Sequence, residues 1–192
     1  MRILGLSAFG GESAAALLVD GVPVAAASEE RFSGLRRDPA FPRRAVRFCL
    51  RQAATDAAGL DWVVFHSKPL RVFERVLLSQ LRGFPDGARS FSRSMFLWLG
   101  DRLWIKERIA DELGLPSGKV LFVEHHRAHA AAAFLPSPFE RAAILVATGA
   151  AEWPATSLHA GEGSRIEPLD EVRFPHSLCL FLAALAEHLG FP

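Results

Sequence analysis

The amino-terminal part of the chain alternates short apolar runs with turn residues. Residues 3–7, 14–19 and 22–27 form apolar runs of strand length, and Asp20 and Gly21 between the last two are a dipeptide typical of a tight hairpin turn. The pattern therefore predicts that the chain opens with a three-stranded meander.

Helical and strand patterns alternate through the rest of the chain. Pro42 can occupy the first position of a helix whose apolar face carries Val46, Cys49 and Leu50, and Gly114 ends a later helical pattern. Residues 141–147 form a continuous apolar run of the kind typical of a buried strand. In all, the predicted helices span residues 42–53, 70–81, about 91–113, 125–135 and 176–189, and the predicted later strands 62–65, 119–123, 141–147, 154–161 and 165–174.

This order predicts an α/β protein with a mixed sheet and helices packed on its faces. A three-stranded meander followed by crossovers occurs twice, which is typical of the actin-like ATPase (ribonuclease H-like) fold, whose two lobes enclose a nucleotide. The first lobe is predicted to span residues 1–140. Residues 141–192 are then expected to form the start of the second lobe and to stop after its first helix.

Composition excludes several classes of partner. The 192 residues are 50% hydrophobic with 22 Lys+Arg against 21 Asp+Glu, and basic residues never run longer than pairs such as Arg36 and Arg37. A packed core is expected, whereas nucleic acid and membrane are not expected as partners. The longest apolar run, 178–186, is about half of a membrane span. Cys49 and Cys179 lie in apolar helical patterns, which predict two buried thiols rather than a disulfide. A protein without disulfides is expected to be cytoplasmic.

A histidine-rich segment at residues 124–129 is the sharpest candidate for chemistry. His125 and His129 are four residues apart, so that on a helix their rings share one face and can grip one metal ion. The alternative is that these histidines cap the helix and bond to the backbone. A two-histidine, one-carboxylate site would also need an oxygen ligand, for which the sequence offers Glu124 and Glu152.

Two glycine-containing turns and one charged segment are further candidates. Gly10 and Gly11 would let backbone N–H groups approach a phosphate, with Ser13 adding a hydroxyl donor, although an ordinary hairpin is the simpler explanation of the glycine pair. Thr148 and Gly149 lie in the equivalent turn of the second lobe. The charged segment, residues 29–33, is either a solvated, ion-paired loop or a functional segment.

Taken together, six segments resemble the O-carbamoyltransferases of antibiotic and nodulation-factor biosynthesis: residues 1–20, 29–33, 38–42, 124–130, 134–139 and 174–178. The resemblance implies an amino-terminal actin-like domain, related to the enzyme that makes threonylcarbamoyl-adenosine in tRNA. It also implies a carboxy-terminal domain that forms carbamoyl-adenylate from carbamoyl phosphate and ATP. The carbamoyl group then passes to a hydroxyl of a small-molecule acceptor, with an iron-type divalent metal assisting.

Individual residues depart from the family pattern. His125 and His129 match two metal ligands, but Thr148 stands in place of a third ligand, an aspartate, and a hydroxyl is a far poorer ligand than a carboxylate. A Gly-His-Asp-Ser turn, whose histidine is a candidate general base, is replaced by residues 10–13, where Gly11 has no side chain to move a proton. Glu12 is therefore the candidate catalytic residue, and metal binding is expected to be weak. The implied contacts with ATP or carbamoyl phosphate come from Gly10, Gly11, Ser13, Thr148 and Gly149.

The chain is much shorter than a family member, which leads to three alternative expectations. It is a carbamoyltransferase-family fragment that is inactive by itself, a non-catalytic binding module, or one half of a split enzyme whose remaining lobe comes from a partner chain. Because the chain ends at Pro192, the apolar helix at 178–189 is expected to leave one face uncovered and to cause self-association, or poor solubility unless a partner covers that face.

Overall fold

The structure is a computed structural model that describes residues 1–83 and 85–191. It divides the chain into two compact units. Unit 1 consists of Met1–His66 and Trp104–Phe122, and unit 2 consists of Ser67–Leu103 and Val123–Pro192. The predicted lobe boundary at residue 140 stays a prediction.

The elements alternate much as the sequence predicts. In chain order they are β1 (Arg2–Ser7), β2 (Ala14–Val19), β3 (Val22–Ser28), α1 (Glu30–Ser33), α2 (Arg43–Gln52), β4 (Trp62–Phe65), α3 (Pro69–Arg82), α4 (Ala88–Gly100), α5 (Ile105–Leu113), β5 (Val120–Phe122), α6 (His125–Phe134), β6 (Arg141–Ala147), β7 (Pro154–Glu162), β8 (Arg165–Arg173) and α7 (Leu178–His188).

Unit 1 contains a five-stranded sheet in the order β3-β2-β1-β4-β5. The strands β1, β2 and β3 are antiparallel neighbours, whereas β4 runs parallel to β1 and β5 parallel to β4. The tight turn between β2 and β3 places Asp20 at φ 50° and Gly21 at φ 83°, the left-handed conformation that this dipeptide favours. The meander and the α/β class are therefore confirmed.

A large apolar core holds unit 1 together. The helix α2 buries Ala45, Val46 and Cys49, the face predicted by its spacing, and Cys49 is a free buried thiol whose pKa is raised by burial. Pro42 precedes α2 as its N-cap residue rather than occupying the first helical position. Gly114, at φ 65°, ends α5 as predicted.

One predicted helix is wrong. Residues 91–113 form α4, a short 3₁₀ turn at Arg102–Trp104 and α5, and the break lies at Gly100 and Asp101. The apolar spacing continues across this point, so a periodicity argument joins two helices that belong to different units.

Unit 2 contains an antiparallel sheet in the order β6-β7-β8 with α6 packed on one face. Gly161 of β7 is needed there because a Cβ at this position would lie 2.7 Å from the ring of Phe134. The strand β6 buries Ile144 and Val146 but leaves Leu145 71% exposed, so the prediction of a fully buried strand is wrong.

The helix α7 has no buried residue, and Cys179 within it is only half-buried, which contradicts the prediction of a second buried thiol. Its exposed apolar side chains are Leu178, Leu180, Phe181, Leu182 and Leu185. The predicted uncovered apolar face is therefore present. Within the described residues, no helix is long and apolar enough to cross a membrane.

Candidate functional site

The first candidate site is a cavity of about 370 Å³ in unit 1, beside the turn between β1 and β2. Gly10 and Gly11, which are predicted to contact a phosphate, line it together with Glu12, the candidate catalytic residue. Ser13 is not a lining residue, because it is 2% exposed and its Oγ is buried without a hydrogen-bond partner. Ser7, at the end of β1, also lines the cavity and donates from Oγ to the carbonyl oxygen of Glu12 at 2.9 Å.

Two further residues of this cavity, Arg37 and His66, were not singled out by the sequence. His66 follows β4 directly, and its backbone N–H donates to the carbonyl oxygen of Leu6 at 3.2 Å, extending the contact of β4 with β1. A usable signal existed, because residues at the carboxyl ends of parallel strands line the crevice of an α/β sheet. Arg37 had no such signal, since its loop precedes α2.

The charged segment at residues 29–33 has a structural role at Glu29. This carboxylate is 5% exposed and accepts backbone hydrogen bonds from Arg44, at 3.2 and 3.0 Å, and from Ala45, at 2.8 Å. Glu29 thus satisfies the free N–H groups at the start of α2 and meets the positive end of its dipole. The interpretation of this glutamate as part of a solvated loop is wrong.

The histidine pair lies in unit 2, at the start of α6. The Nε2 atoms of His125 and His129 are 3.1 Å apart, and the two rings are nearly perpendicular at 83°. Each Zn–N or Fe–N bond is about 2.0–2.1 Å, so two nitrogens at this separation can share one ion. The predicted placement of the two rings on one helix face is correct, and the pair fits as two ligands of a metal.

Neither carboxylate considered as an oxygen ligand completes a set with the pair. Glu124 forms an ion pair with the Lys68 Nζ at 2.7 Å, and this hydrogen bond lowers the pKa of Glu124. The Oε1 of Glu152 accepts from the backbone N–H groups of Lys68, at 2.7 Å, and His125, at 3.2 Å, while burial raises the pKa of Glu152. The described residues contain no group of three or more His, Cys, Asp or Glu side chains that could hold a metal. The donor set for a tightly held metal is therefore incomplete in this part of the chain.

Thr148 belongs to a buried chain of hydrogen bonds rather than to the histidine pair. Its Oγ1 lies 2.8 Å from His126 Nε2, His126 Nδ1 lies 2.6 Å from Ser157 Oγ, and Ser157 Oγ lies 2.8 Å from His159 Nε2. Burial, followed by the nearby His125 and His129, lowers the pKa of His126 to about 4, and burial also lowers that of His159. His126 and His159 are therefore neutral at pH 7.

Gly149 follows Thr148 and lies beside α7, since a Cβ added there would be 3.6 Å from the Leu180 side chain. The five residues predicted to contact a cofactor are thus distributed over both units. Gly10 and Gly11 line the unit 1 cavity, Ser13 is buried next to it, and Thr148 and Gly149 belong to unit 2.

Unit 2 also contains a cavity of about 810 Å³ that the sequence did not indicate. Two of its aromatic walls are fixed by neighbours: Trp153 Nε1 donates to Glu74 at 3.2 Å, and the guanidinium of Arg75 lies 4.9 Å from the ring centroid of Phe174. The buried residues His126, Ser157 and His159 also line it. Nothing in the sequence pattern marks this cavity, because its walls come from four separate segments.

Two curated relatives match nearly the whole chain. The uncharacterized protein sll1178 of Synechocystis sp. is 44% identical over 197 residues, which cover 99% of this chain and 32% of that protein. The nodulation protein NolNO of Sinorhizobium fredii is 28% identical over 185 residues, covering 94% of this chain and 25% of that protein. The chain therefore spans about a third and a quarter of the lengths of these relatives.

Solved structures resemble the chain more distantly. YeaZ from Pseudomonas aeruginosa aligns with a TM-score of 0.46 at 17% identity, covering 93% of this chain and 72% of that one. An uncharacterized protein with similarity to peptidase YEAZ, from the same organism, aligns with a TM-score of 0.43 at 17% identity, covering 88% and 64%. The model of the family described as Carbamoyltransferase N-terminus matches residues 2–192, which is nearly the whole chain. The chain therefore belongs to the carbamoyltransferase N-terminus family.

Proposed function

We propose that the chain forms the amino-terminal part of a carbamoyltransferase. In this proposal a carbamoyl group passes from carbamoyl-adenylate, made from carbamoyl phosphate and ATP, to a hydroxyl of a natural-product or sugar acceptor. The observation that carries the proposal is the family match over residues 2–192. The identity to a nodulation protein over 94% of the chain supports it.

The unit 1 cavity contains groups that this chemistry needs. Acyl transfer to a hydroxyl requires a proton acceptor and a positive charge or donor near the developing oxyanion. Glu12 is the proposed catalytic carboxylate, and the backbone N–H groups of Gly10 and Gly11 are the proposed donors to a phosphate. Every residue that lines the cavity is polar or glycine, so that hydrogen-bonding groups surround it.

We further propose that these 192 residues bind a divalent metal only weakly and do not turn over by themselves. The reason lies in the site residues. Gly11 offers no side chain, the hydroxyl of Thr148 is hydrogen-bonded to His126, and His125 and His129 supply two ligands without a third among the described residues. Two neutral imidazoles without a carboxylate bind a divalent metal less tightly than a complete set.

The test combines an assay with metal analysis. The purified chain is given carbamoyl phosphate, ATP and a hydroxyl acceptor, and both pyrophosphate and carbamoylated product are measured, first alone and then with a second chain corresponding to the remaining length of the nodulation relative. Turnover is expected only with the second chain. Turnover by the chain alone, with tight metal that His125→Ala abolishes, would contradict the proposed weak site, whereas no turnover in either arm would contradict the carbamoyltransferase function.

The exposed apolar face of α7 favours a second candidate function, a module that docks on another chain. Phe181 is 65% exposed and Leu182 59% exposed, and a contiguous exposed apolar face of this kind is typical of an interaction surface. Light scattering of the purified chain distinguishes the candidates. Self-association or a stoichiometric partner supports docking, and a monomer at micromolar concentration contradicts it.

A further inference from the structure

We infer that the exposed face of α2 in unit 1 binds the phosphate backbone of a nucleic acid, without regard to base sequence. Four arginines form this face, which we name the α2 stripe: Arg43, Arg44, Arg47 and Arg51. The inference goes beyond the proposed transfer reaction and does not depend on it. It departs from the expectation based on net charge, because a chain with a formal charge of +1 still concentrates positive charge on one surface.

The α2 stripe follows from the spacing of the arginines along the helix. Arg43, Arg47 and Arg51 are four residues apart, and Arg44 follows the first of them, so all four project from the same side of α2. All four are exposed, whereas the opposite side of the helix packs into the core of unit 1. With a rise of about 1.5 Å per residue, the stripe is about 12 Å long.

Stability does not explain this arrangement of charges. Like charges four residues apart destabilise a helix, and α2 contains no acidic residue that could offset them. Arg43 and Arg44 also lie in the first turn, where the positive end of the helix dipole disfavours a cation. Glu112 forms an ion pair with Arg43. Among the described residues, however, Arg47 and Arg51 have no ion-pair partner, so their charges are available to a ligand.

The segment before α2 enlarges the positive surface. Arg31, Arg36 and Arg37 are all exposed. The only acidic residue between positions 31 and 51 is Asp38, which is 8% exposed and accepts from the backbone N–H of Ala40 at 3.0 Å. Residues 31–51 therefore carry seven arginines and a single, buried carboxylate.

A cavity of about 590 Å³ continues the surface at the other end of α2. Arg51 and Arg2 both line it, so a second strand of the chain adds a guanidinium to the stripe. Asp56 also lines the cavity, and its Oδ1 accepts from the backbone N–H of Gly59 at 2.9 Å. That carboxylate is thus engaged by the chain itself, and the two arginines remain as the donors to an anion.

The chemistry of the stripe favours a phosphate backbone over other anionic partners. The guanidinium fork donates two parallel hydrogen bonds to a phosphate or a carboxylate. Within α2, all of which the structure describes, no large apolar side chain is exposed. A protein interface needs an apolar centre and a helix on a lipid surface needs an apolar face, so neither fits. One nucleic acid strand carries a charge about every 3.4 Å, and the stripe therefore spans about three to four phosphates.

The experiment measures binding of the purified chain to fluorescein-labelled DNA duplexes of about 20 base pairs by fluorescence anisotropy, between about 50 and 200 mM salt. Two duplexes of unrelated sequence are used. With three to four phosphate contacts, the logarithm of the binding constant should fall linearly with the logarithm of the salt concentration, with a slope of about −3. The two duplexes should bind equally, because the backbone carries no sequence information.

Variants locate the contacts. The double variant Arg47→Ala with Arg51→Ala removes two contacts, so the slope should move toward zero by about two. The matched control is Arg89→Ala with Arg93→Ala, which removes two exposed arginines at the same spacing from α4 in unit 2 and should leave the slope unchanged. Arg47→Lys with Arg51→Lys keeps both charges and should keep the slope, which separates loss of charge from loss of fold.

The outcomes distinguish a nucleic acid from other anions. No binding at the lowest salt, a slope near zero, or the same slope in the two double-alanine variants overturns the inference. Competition by polyglutamate or by phosphatidylserine vesicles as strong as that by unlabelled duplex, at equal concentrations of negative charge, also overturns it. Loss of binding in the stripe variant with unchanged turnover in the two-chain assay supports the inference. Absence of carbamoyl transfer in that assay contradicts only the proposed function.

Discussion

The two units are stabilised in different ways. Among the described residues, the core of unit 1 contains 16 buried hydrophobic residues drawn from its sheet, α2, α5 and the loops beside them, whereas the core of unit 2 contains five. The interior of unit 2 is instead rich in polar groups, with His126, Ser157, His159 and Glu152 each at most 5% exposed. Unit 1 therefore depends mainly on the burial of apolar side chains, while unit 2 depends more on hydrogen bonds between buried polar groups.

The largest expected loss of stability comes from a substitution that creates a cavity in the core of unit 1. Leu17 is fully buried, so Leu17→Ala should lower the free energy of unfolding by about 2–5 kcal/mol. Leu145→Ala, in a strand of unit 2 but 71% exposed, is the matched control and should change it by no more than about 0.5 kcal/mol. Urea unfolding measures both. Equal losses would show that the burial of Leu17 is not the cause of its contribution to stability.

Acid should act on unit 2 through His126. The pKa of His126 is about 4 in the folded protein, whereas an unperturbed histidine has a pKa of about 6.5, so between these pH values the unfolded state binds more protons than the folded state. The free energy of unfolding should therefore fall as the pH drops from 6.5 to 4, by up to about 3 kcal/mol. NMR titration of the His126 ring measures the pKa directly, and a midpoint near 6.5 would contradict the prediction.

The affinity of unit 2 for a metal ion should depend on the residue at position 148. Thr148→Asp puts a carboxylate where the family resemblance places an aspartate, so the affinity for Zn²⁺ should rise about 10–100-fold because a carboxylate ligates better than a hydroxyl. Calorimetry measures the change, and the double variant with His125→Ala should lose it. Unchanged affinity in Thr148→Asp would show that position 148 does not face the histidine pair.

The smallest expected loss of stability concerns two buried glutamates, one in each unit, that accept hydrogen bonds from backbone N–H groups at helix N-termini. Glu29→Ala and Glu152→Ala should each lower the free energy of unfolding by about 0.5–2 kcal/mol, because backbone N–H groups lose their acceptor. The glutamine variants keep a carbonyl acceptor and should lose less. Thermal unfolding provides the measurement, and equal losses for alanine and glutamine would show that hydrogen bonding is not the cause.

Much of the fold follows from local patterns. The hairpin at Asp20 and Gly21, the buried face of α2 and the end of α5 at Gly114 all depend on neighbours in sequence, and all are confirmed. The joined helix at 91–113 is wrong, because spacing carries no information about which unit a helix belongs to. The exposure of Leu145 was also not predictable, since an apolar run does not reveal how many faces a strand buries.

The candidate site residues also differ in how far the sequence predicts their placement. Residues close in sequence, such as His125 and His129, were paired correctly because four-residue spacing fixes their distance on a helix. The placement of His66 and Arg37 beside Glu12 was not predicted, because 25 to 54 residues separate them from it in the chain. The series of hydrogen bonds that links Thr148, His126, Ser157 and His159 was likewise not predicted, because folding brings these side chains together.

The sequence by itself determined the α/β class, the opening meander and the family, because these rest on short-range periodicity and on motifs read in order. Only the tertiary structure decided which polar side chains are already hydrogen-bonded and which face open space. Glu152 and Thr148 already have hydrogen-bond partners within unit 2, whereas Glu12 lines a cavity. The physical reason is that a polar side chain acts on a ligand only if folding has not already satisfied it, and its partners come from distant parts of the chain.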